Sequence, residues 1–239
     1  WSLLASFFPG KTQWQGAKEP YITRQTYSYD SDGRLDEIWK ARVDAQGVPV
    51  GQSKLTYRRP RKGETVPALS KSIKSTLLDL IPKTIEEVGH DATFYCLLIC
   101  FCDEDFPASW PPFLVLGETG DRARVIKAED GVDYFLWAPD EVRTRAGNVT
   151  LFLEDQALDE TCKLHATLMS MKDSYAAGRK VLRDVAKALN DFHWTSVIDT
   201  SEDFIVAAVD NTGHRDPKKD IKGCIPAERF TALRKAGLI

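Results

Sequence analysis

Two groups of side chains in this sequence have the types and spacing to bring metal or nucleophile chemistry together. Cys162 and His165 lie one helical turn apart, the arrangement of half a tetrahedral zinc site. No second half is visible in the sequence, and both residues fall on an apolar stripe, which fits packed core positions. Cys96, Cys100 and Cys102 share one apolar segment. On a strand these even-numbered residues point to one face along ~20 Å, too spread for their sulfurs to converge on a cluster. They read as core thiols.

Nucleophilic catalysis needs a Cys or Ser beside a His, and the candidates are His90, His165, His193 and His214. His90 and His214 fall in expected loops, where sites often form. A small hydrolase-like enzyme pairing one of them with a cysteine or carboxylate is therefore one alternative. Yet the sequence has no Gly-x-Ser-x-Gly, His-Glu-x-x-His, Walker or Gly-x-Gly-x-x-Gly motif. No catalytic residue is assigned, and the reading leans away from an enzyme. The segment from Ser28 to Asp36, with Asp30, Asp32 and Gly33, has part of a calcium-loop spacing. Ser28 replaces the first Asp and Trp39 the closing Glu, so a tight hairpin turn explains it better. No metal ligand and no cofactor are expected.

Acidic residues gather at Asp103-Glu104-Asp105 and at Glu154-Asp155, followed by Asp159-Glu160. Such clusters are either a solvated face or a docking surface for a basic partner, where local complementarity raises association rate and selectivity. The partner-binding candidates are Asp103, Glu104, Asp105, Glu154 and Asp155. A basic toxin domain such as a nuclease is the kind of protein they would suit.

Composition limits the rest. The 239 residues are 43% hydrophobic and 28% charged, with 32 basic against 35 acidic side chains and a net charge of -3. Such a balance gives no long-range attraction for nucleic acid or anionic lipid. The longest apolar run, Phe94 to Cys102, is too short for the ~20 residues of a membrane helix. Five cysteines, three in one apolar segment, argue for reduced thiols and a cytoplasmic setting. By the same argument Asn148-Val149-Thr150 is a chance glycosylation sequon. Trp1 to Pro9 lacks the basic start of a signal peptide and reads as a packed or trimmed end.

The elements that must position these residues form two regions. Strand formers between Tyr21 and Tyr57, divided by turn signals at Asp30 to Gly33 and Asp44 to Gly47, predict a three-stranded meander. Charge, Pro and Gly in Arg58 to Glu64 mark a surface connection, so the domains are expected to be a β-meander region, 1–66, and an α+β domain, 67–239. In the second, Ser70 would cap a helix that Pro82 kinks or restarts, and Phe94 to Cys102 reads as a central strand. Phe113 to Leu116 and Arg122 to Ile126 predict strands joined by Gly117 to Gly120, with a further strand at Tyr134 to Trp137. One long helix, or two meeting near Gly178, accounts for Leu158 to Phe192. Phe204 to Val209 predicts a buried strand, Asn211 to Asp220 a polar loop, and Pro226 to Gly237 a last helix. The fold class is α+β, a mostly antiparallel sheet flanked by helices.

Tyr27-x-Tyr29-Asp30-x-x-Gly33-Arg34-Leu35 resembles a single YD repeat of the Rhs type. It implies a third alternative, a structural or adaptor domain of a larger Rhs-type assembly, with Tyr27, Tyr29, Trp39 and Tyr57 as contact residues. Phe94-Tyr95 opening a strand, Trp137 to Glu141, Asp203-Phe204 and Ile225-Pro226 are similar in layout to an uncharacterised bacterial family found near polymorphic toxin-immunity systems. That resemblance covers about the last 170 residues, with Val142 where a second aromatic is expected. It implies an immunity protein that occludes a toxin, and no catalytic residue. The leading expectation is a non-catalytic cytoplasmic protein-binding domain.

Overall fold

A computed structural model describes residues 22–29, 35–43, 49–56, 60–89, 91–128, 132–171, 174–213 and 215–239. The chain divides into two compact units, Trp1–Arg59 and Pro60–Ile239. In the first, β1 (Ile22–Tyr29), β2 (Leu35–Val43) and β3 (Pro49–Thr56) pair antiparallel in chain order. The turn residues of the calcium-like and Rhs-like segments lie outside the described residues, as do Trp1 to Pro9.

The second unit begins with α1 (Val66–Val88). Thr65, not Ser70, caps it: the Thr65 hydroxyl accepts from the Ala68 N–H, and Pro67 suits the first turn, where no N–H is needed. The helix continues through Pro82, which is buried along with Leu69, Ile73, Leu77, Ile81 and Ile85 on the stripe facing the core. That burial outweighs the backbone hydrogen bond a proline removes. Ser70 is freed to bond another helix.

A four-stranded sheet follows, built from β4 (Thr93–Phe101), β5 (Phe113–Glu118), β6 (Val149–Phe152) and β7 (Asp199–Asp210) in the spatial order β6-β5-β4-β7. It is mixed: β5 runs antiparallel to β4 and β6, whereas β4 and β7 are parallel. The apolar run of β4 is buried from Phe94 to Phe101, as the sequence predicts for a strand covered on both faces. Helices flank the sheet, giving an α+β fold.

Three expectations fail on short apolar runs. The Arg122 to Ile126 and Tyr134 to Trp137 segments are helical, in α2 (Thr119–Ala128) and α3 (Val132–Trp137), which precede the short α4 (Pro139–Val142). Runs this short carry no decisive period, and packing chose between them. Gly117 lies within β5 rather than in a hairpin turn; a Cβ there would lie 2.6 Å from a ring carbon of Tyr95. The long stripe is two helices, α5 (Gln156–Ser170) and α6 (Ala176–Leu189), and Gly178 lies inside the second rather than at the joint. There its missing side chain admits the ring of Phe106, 2.5 Å from where a Cβ would stand. The loop after β7 contains α7 (Pro217–Lys222), and the last helix is α8 (Ala227–Lys235). Among the described residues no helix is long and apolar enough to cross a membrane.

The outer edge of β7 is closed by side chains. The Val206 N–H donates to Asn190 Oδ1 at 2.9 Å, while Asn190 Nδ2 donates to the Val206 carbonyl at 2.7 Å. Cys224 Sγ and Asp220 Oδ2 accept from the Ala208 and Asp210 N–H groups. Asn190→Ala leaves both the N–H and the carbonyl of buried Val206 without these partners, and should lower unfolding free energy by about 2 to 4 kcal/mol. Urea denaturation followed by circular dichroism measures this, with Asn190→Asp, which retains the acceptor, expected in between.

Candidate functional site

Strand direction decides where the acidic residues meet. Because β5 opposes both β4 and β6, those two strands run the same way, and β7 joins them by its parallel pairing. The carboxyl ends of β4, β6 and β7 therefore share one edge of the sheet. Asp103-Glu104-Asp105 follows β4 and Glu154-Asp155 follows β6, so clusters about fifty positions apart in sequence leave the same end of the sheet, from strands two spacings, ~10 Å, apart.

The five candidates are not equivalent at this edge. Asp103 is held inside a network: its carboxylate takes Arg179 Nη1 at 2.8 Å and Arg215 Nη1 at 3.5 Å, while its N–H donates to Asp210 Oδ1 at 2.9 Å. Arg215 also binds Asp220 at 2.9 Å, and that hydrogen bond holds its guanidinium firmly protonated. Asp155 caps α5, accepting from the Leu158 N–H at 2.7 Å. Glu104, Asp105 and Glu154 are exposed. In the next turn Asp159 pairs with Lys163 at 2.5 Å, and Glu160 is exposed.

Elsewhere the sequence candidates are locked into the interior. His165 is fully buried beside Trp110, its Nε2 2.9 Å from Ser70 Oγ, so α5 is tied to α1. Burial pushes its imidazole down from 6.5 to about 4, which keeps it neutral at physiological pH. No carboxylate bonds its Nδ1 among the described residues, so the Ser70–His165 pair lacks the third group that orients a base in a catalytic triad. Cys162, one turn away, is buried with its thiol pushed up by desolvation. Among the described residues no group of three His, Cys, Asp or Glu side chains could hold a metal ion. Desolvation also raises Cys96 to about 12 and Cys224 to about 11, and lifts Cys100 well above its usual value. Cys102 is half-buried and accepts from the Asp105 N–H. His193 is exposed and touches Thr195, while His90 and His214 lie outside the described residues.

A buried carboxylate escaped the sequence reading. Asp121, 1% exposed, receives Arg145 Nε at 2.8 Å, Asn148 Nδ2 at 2.7 Å and Arg124 Nη2 at 3.5 Å. Asn148 also accepts from the Glu118 N–H and donates to the Val142 carbonyl. The apparent sequon thus spends its amide on joining β5, α2 and α4. An Asp beside Arg in a helix carries no signal of burial, because the two closest partners, Arg145 and Asn148, lie more than twenty residues away. The grooves are shallow, one lined by Tyr134, Arg215, Pro217 and Lys218, where Lys218 already pairs with Asp133.

Comparison of the chain with family models, with curated proteins and with solved structures finds no match.

Two expectations follow from burial. The unfolded chain takes up a proton on His165 below pH 6.5, whereas the folded chain does so only near pH 4. The stability present above pH 6.5 is thus lost as pH falls through that window, by about 3 kcal/mol at most. His165→Gln removes this contribution, so its stability gap to the wild type should narrow between pH 7 and pH 4; a constant gap contradicts the assignment. Thiol labelling of the native chain should modify Cys102 first, with Cys96, Cys100, Cys162 and Cys224 reacting only on unfolding. Mass spectrometry of quenched aliquots reads this directly.

Proposed function

We propose that this is a non-catalytic cytoplasmic protein-binding domain of immunity type, which occludes a basic partner such as a toxin domain against the carboxyl edge of its sheet. One observation carries the reading: chain topology gathers the two acidic clusters onto that edge, with Glu104, Asp105 and Glu154 exposed. Among the described residues the carboxylates do not converge in a group that could hold a metal ion, an arrangement suited to a surface of cationic side chains. Asp103 and Asp155 serve as its frame, one fixing the loop after β4 through Arg179, the other fixing the start of α5.

A net charge of only -3 confines steering to short range, since screening at physiological ionic strength acts over about 8 Å. Selectivity then comes from local complementarity at contact. A partner docked here is excluded from its own substrate by bulk, which asks no chemistry of this chain.

The test uses the purified chain as bait in lysate of its own source, alongside a Glu104→Lys/Asp105→Lys variant. A basic protein captured at one-to-one stoichiometry, inhibited by the wild type and bound at least about tenfold more weakly by the variant, is the expected result. Binding that is indifferent both to the double reversal and to added salt would remove the acidic edge as the interface.

A further inference from the structure

Adjacent basic residues stand in very different settings along this chain. Among the described residues, Arg179-Lys180, Lys218-Lys219 and Arg234-Lys235 lie in α6, α7 and α8, whereas Arg61-Lys62 lies in no helix or strand. This pair belongs to the turn that leads into α1, and Pro60, Arg61, Lys62 and Gly63 are all exposed.

That difference decides which pair a protease can reach. A protease takes its substrate as an extended strand, pairing with the backbone groups on both sides of the bond it cuts. In a helix those groups are already bonded to each other, so several turns must unwind first. Unwinding α6 would also expose Val181, Leu182 and Val185, an opening close to global unfolding.

The turn at Arg61 to Thr65 asks far less. It is held by three local hydrogen bonds: the Arg61 N–H donates to Glu64 Oε2 at 2.6 Å, the Glu64 N–H to the Arg61 carbonyl at 3.0 Å, and the Thr65 N–H to the Gly63 carbonyl at 3.0 Å. Water replaces such bonds readily at an exposed turn, the kind of place where nicking concentrates. Gly63, at φ 94°, has nothing within 4 Å of where a Cβ would stand, so the peptide bond before it is unshielded. Opening stops at Thr65, whose hydroxyl caps α1.

We propose that the Lys62–Gly63 peptide bond is a cleavage site for a protease selective for adjacent basic residues, its specificity pockets lined by carboxylates. The step consumes one water. The amide C–N bond breaks, the Lys62 carbonyl carbon takes the water oxygen and ends as a carboxylate, and the nitrogen leaves as the new terminal ammonium of Gly63. The product retains the Thr65 cap, α1 and the whole four-stranded sheet. The inference goes beyond the proposed function and does not rest on it.

The full chain is digested on ice with a low proportion of trypsin, and quenched aliquots are read by intact mass and amino-terminal sequencing. Among bonds that follow described Lys and Arg residues, Lys62–Gly63 should be cut first, at least about tenfold faster than any in α6, α7 or α8. The fragment beginning at Gly63 should persist and keep one cooperative thermal transition by circular dichroism. Arg61→Gln/Lys62→Gln should slow that cut by at least about a hundredfold while leaving the spectrum unchanged, since both side chains are exposed. In lysate of the chain's own source the same fragment should form from the wild type and not from the double variant. An earlier cut at one of the helical pairs overturns the proposal, as does a Gly63 fragment degraded as fast as it forms. A lysate that leaves the Lys62–Gly63 bond intact overturns it too, and each of these outcomes leaves the acidic-edge reading standing.

Discussion

The parallel pairing of β4 with β7 is the constraint on which the rest of the second unit depends. Parallel neighbours need a crossover of a dozen residues or more, and here the chain spends nearly a hundred between the end of β4 and the start of β7. Those residues supply the antiparallel neighbour β5, the further strand β6 and the α-helices α2 to α6. Since β4 is buried along its length, the strand is stable only once that connection has folded over it. The second unit is therefore expected to form as one cooperative whole, with α1 seated against α5 and α6.

The same pairing organises the polar groups. Two strands that end side by side bring Asp103 and Asp210 together, and the Asp210 carboxylate accepts from the Asp103 N–H and the Thr212 hydroxyl. Arg179 and Arg215 neutralise Asp103, and Asp220, paired with Arg215, closes the edge of β7. Asp121 is treated likewise by Arg145 and Asn148. Buried charge in this fold is thus neutralised by partners from other elements, which ties loops and helices to the sheet. Glu104, Asp105 and Glu154 are exposed beside this network.

Legibility in the sequence followed burial on all sides. The β4 run and the stripe of α1 were readable because each residue's environment matched a single period, unbroken apolar in one and helical in the other. The segments at Arg122 to Ile126 and Tyr134 to Trp137 were misread as strands because so few residues cannot separate the two periods. The β6 strand was missed altogether: Val149 and Thr150 are half-buried and Phe152 is exposed, so its alternation never shows as an apolar run. Cys162 and His165 were correctly placed on a core stripe, where burial keeps the thiol protonated and the imidazole neutral.

By itself the sequence determined the α+β class, the central strand, the main helices and the existence of two acidic clusters, because these rest on local periodicity and composition. Tertiary structure alone decided that the sheet is mixed, that Asp103 is ion-paired while Glu104 and Asp105 are exposed, and that both clusters reach one edge. Strand direction and register are set by contacts between residues scores of positions apart, and no local pattern encodes such contacts. The edge that could meet another molecule was written in the sequence as residues, and became a surface only through the order of the strands.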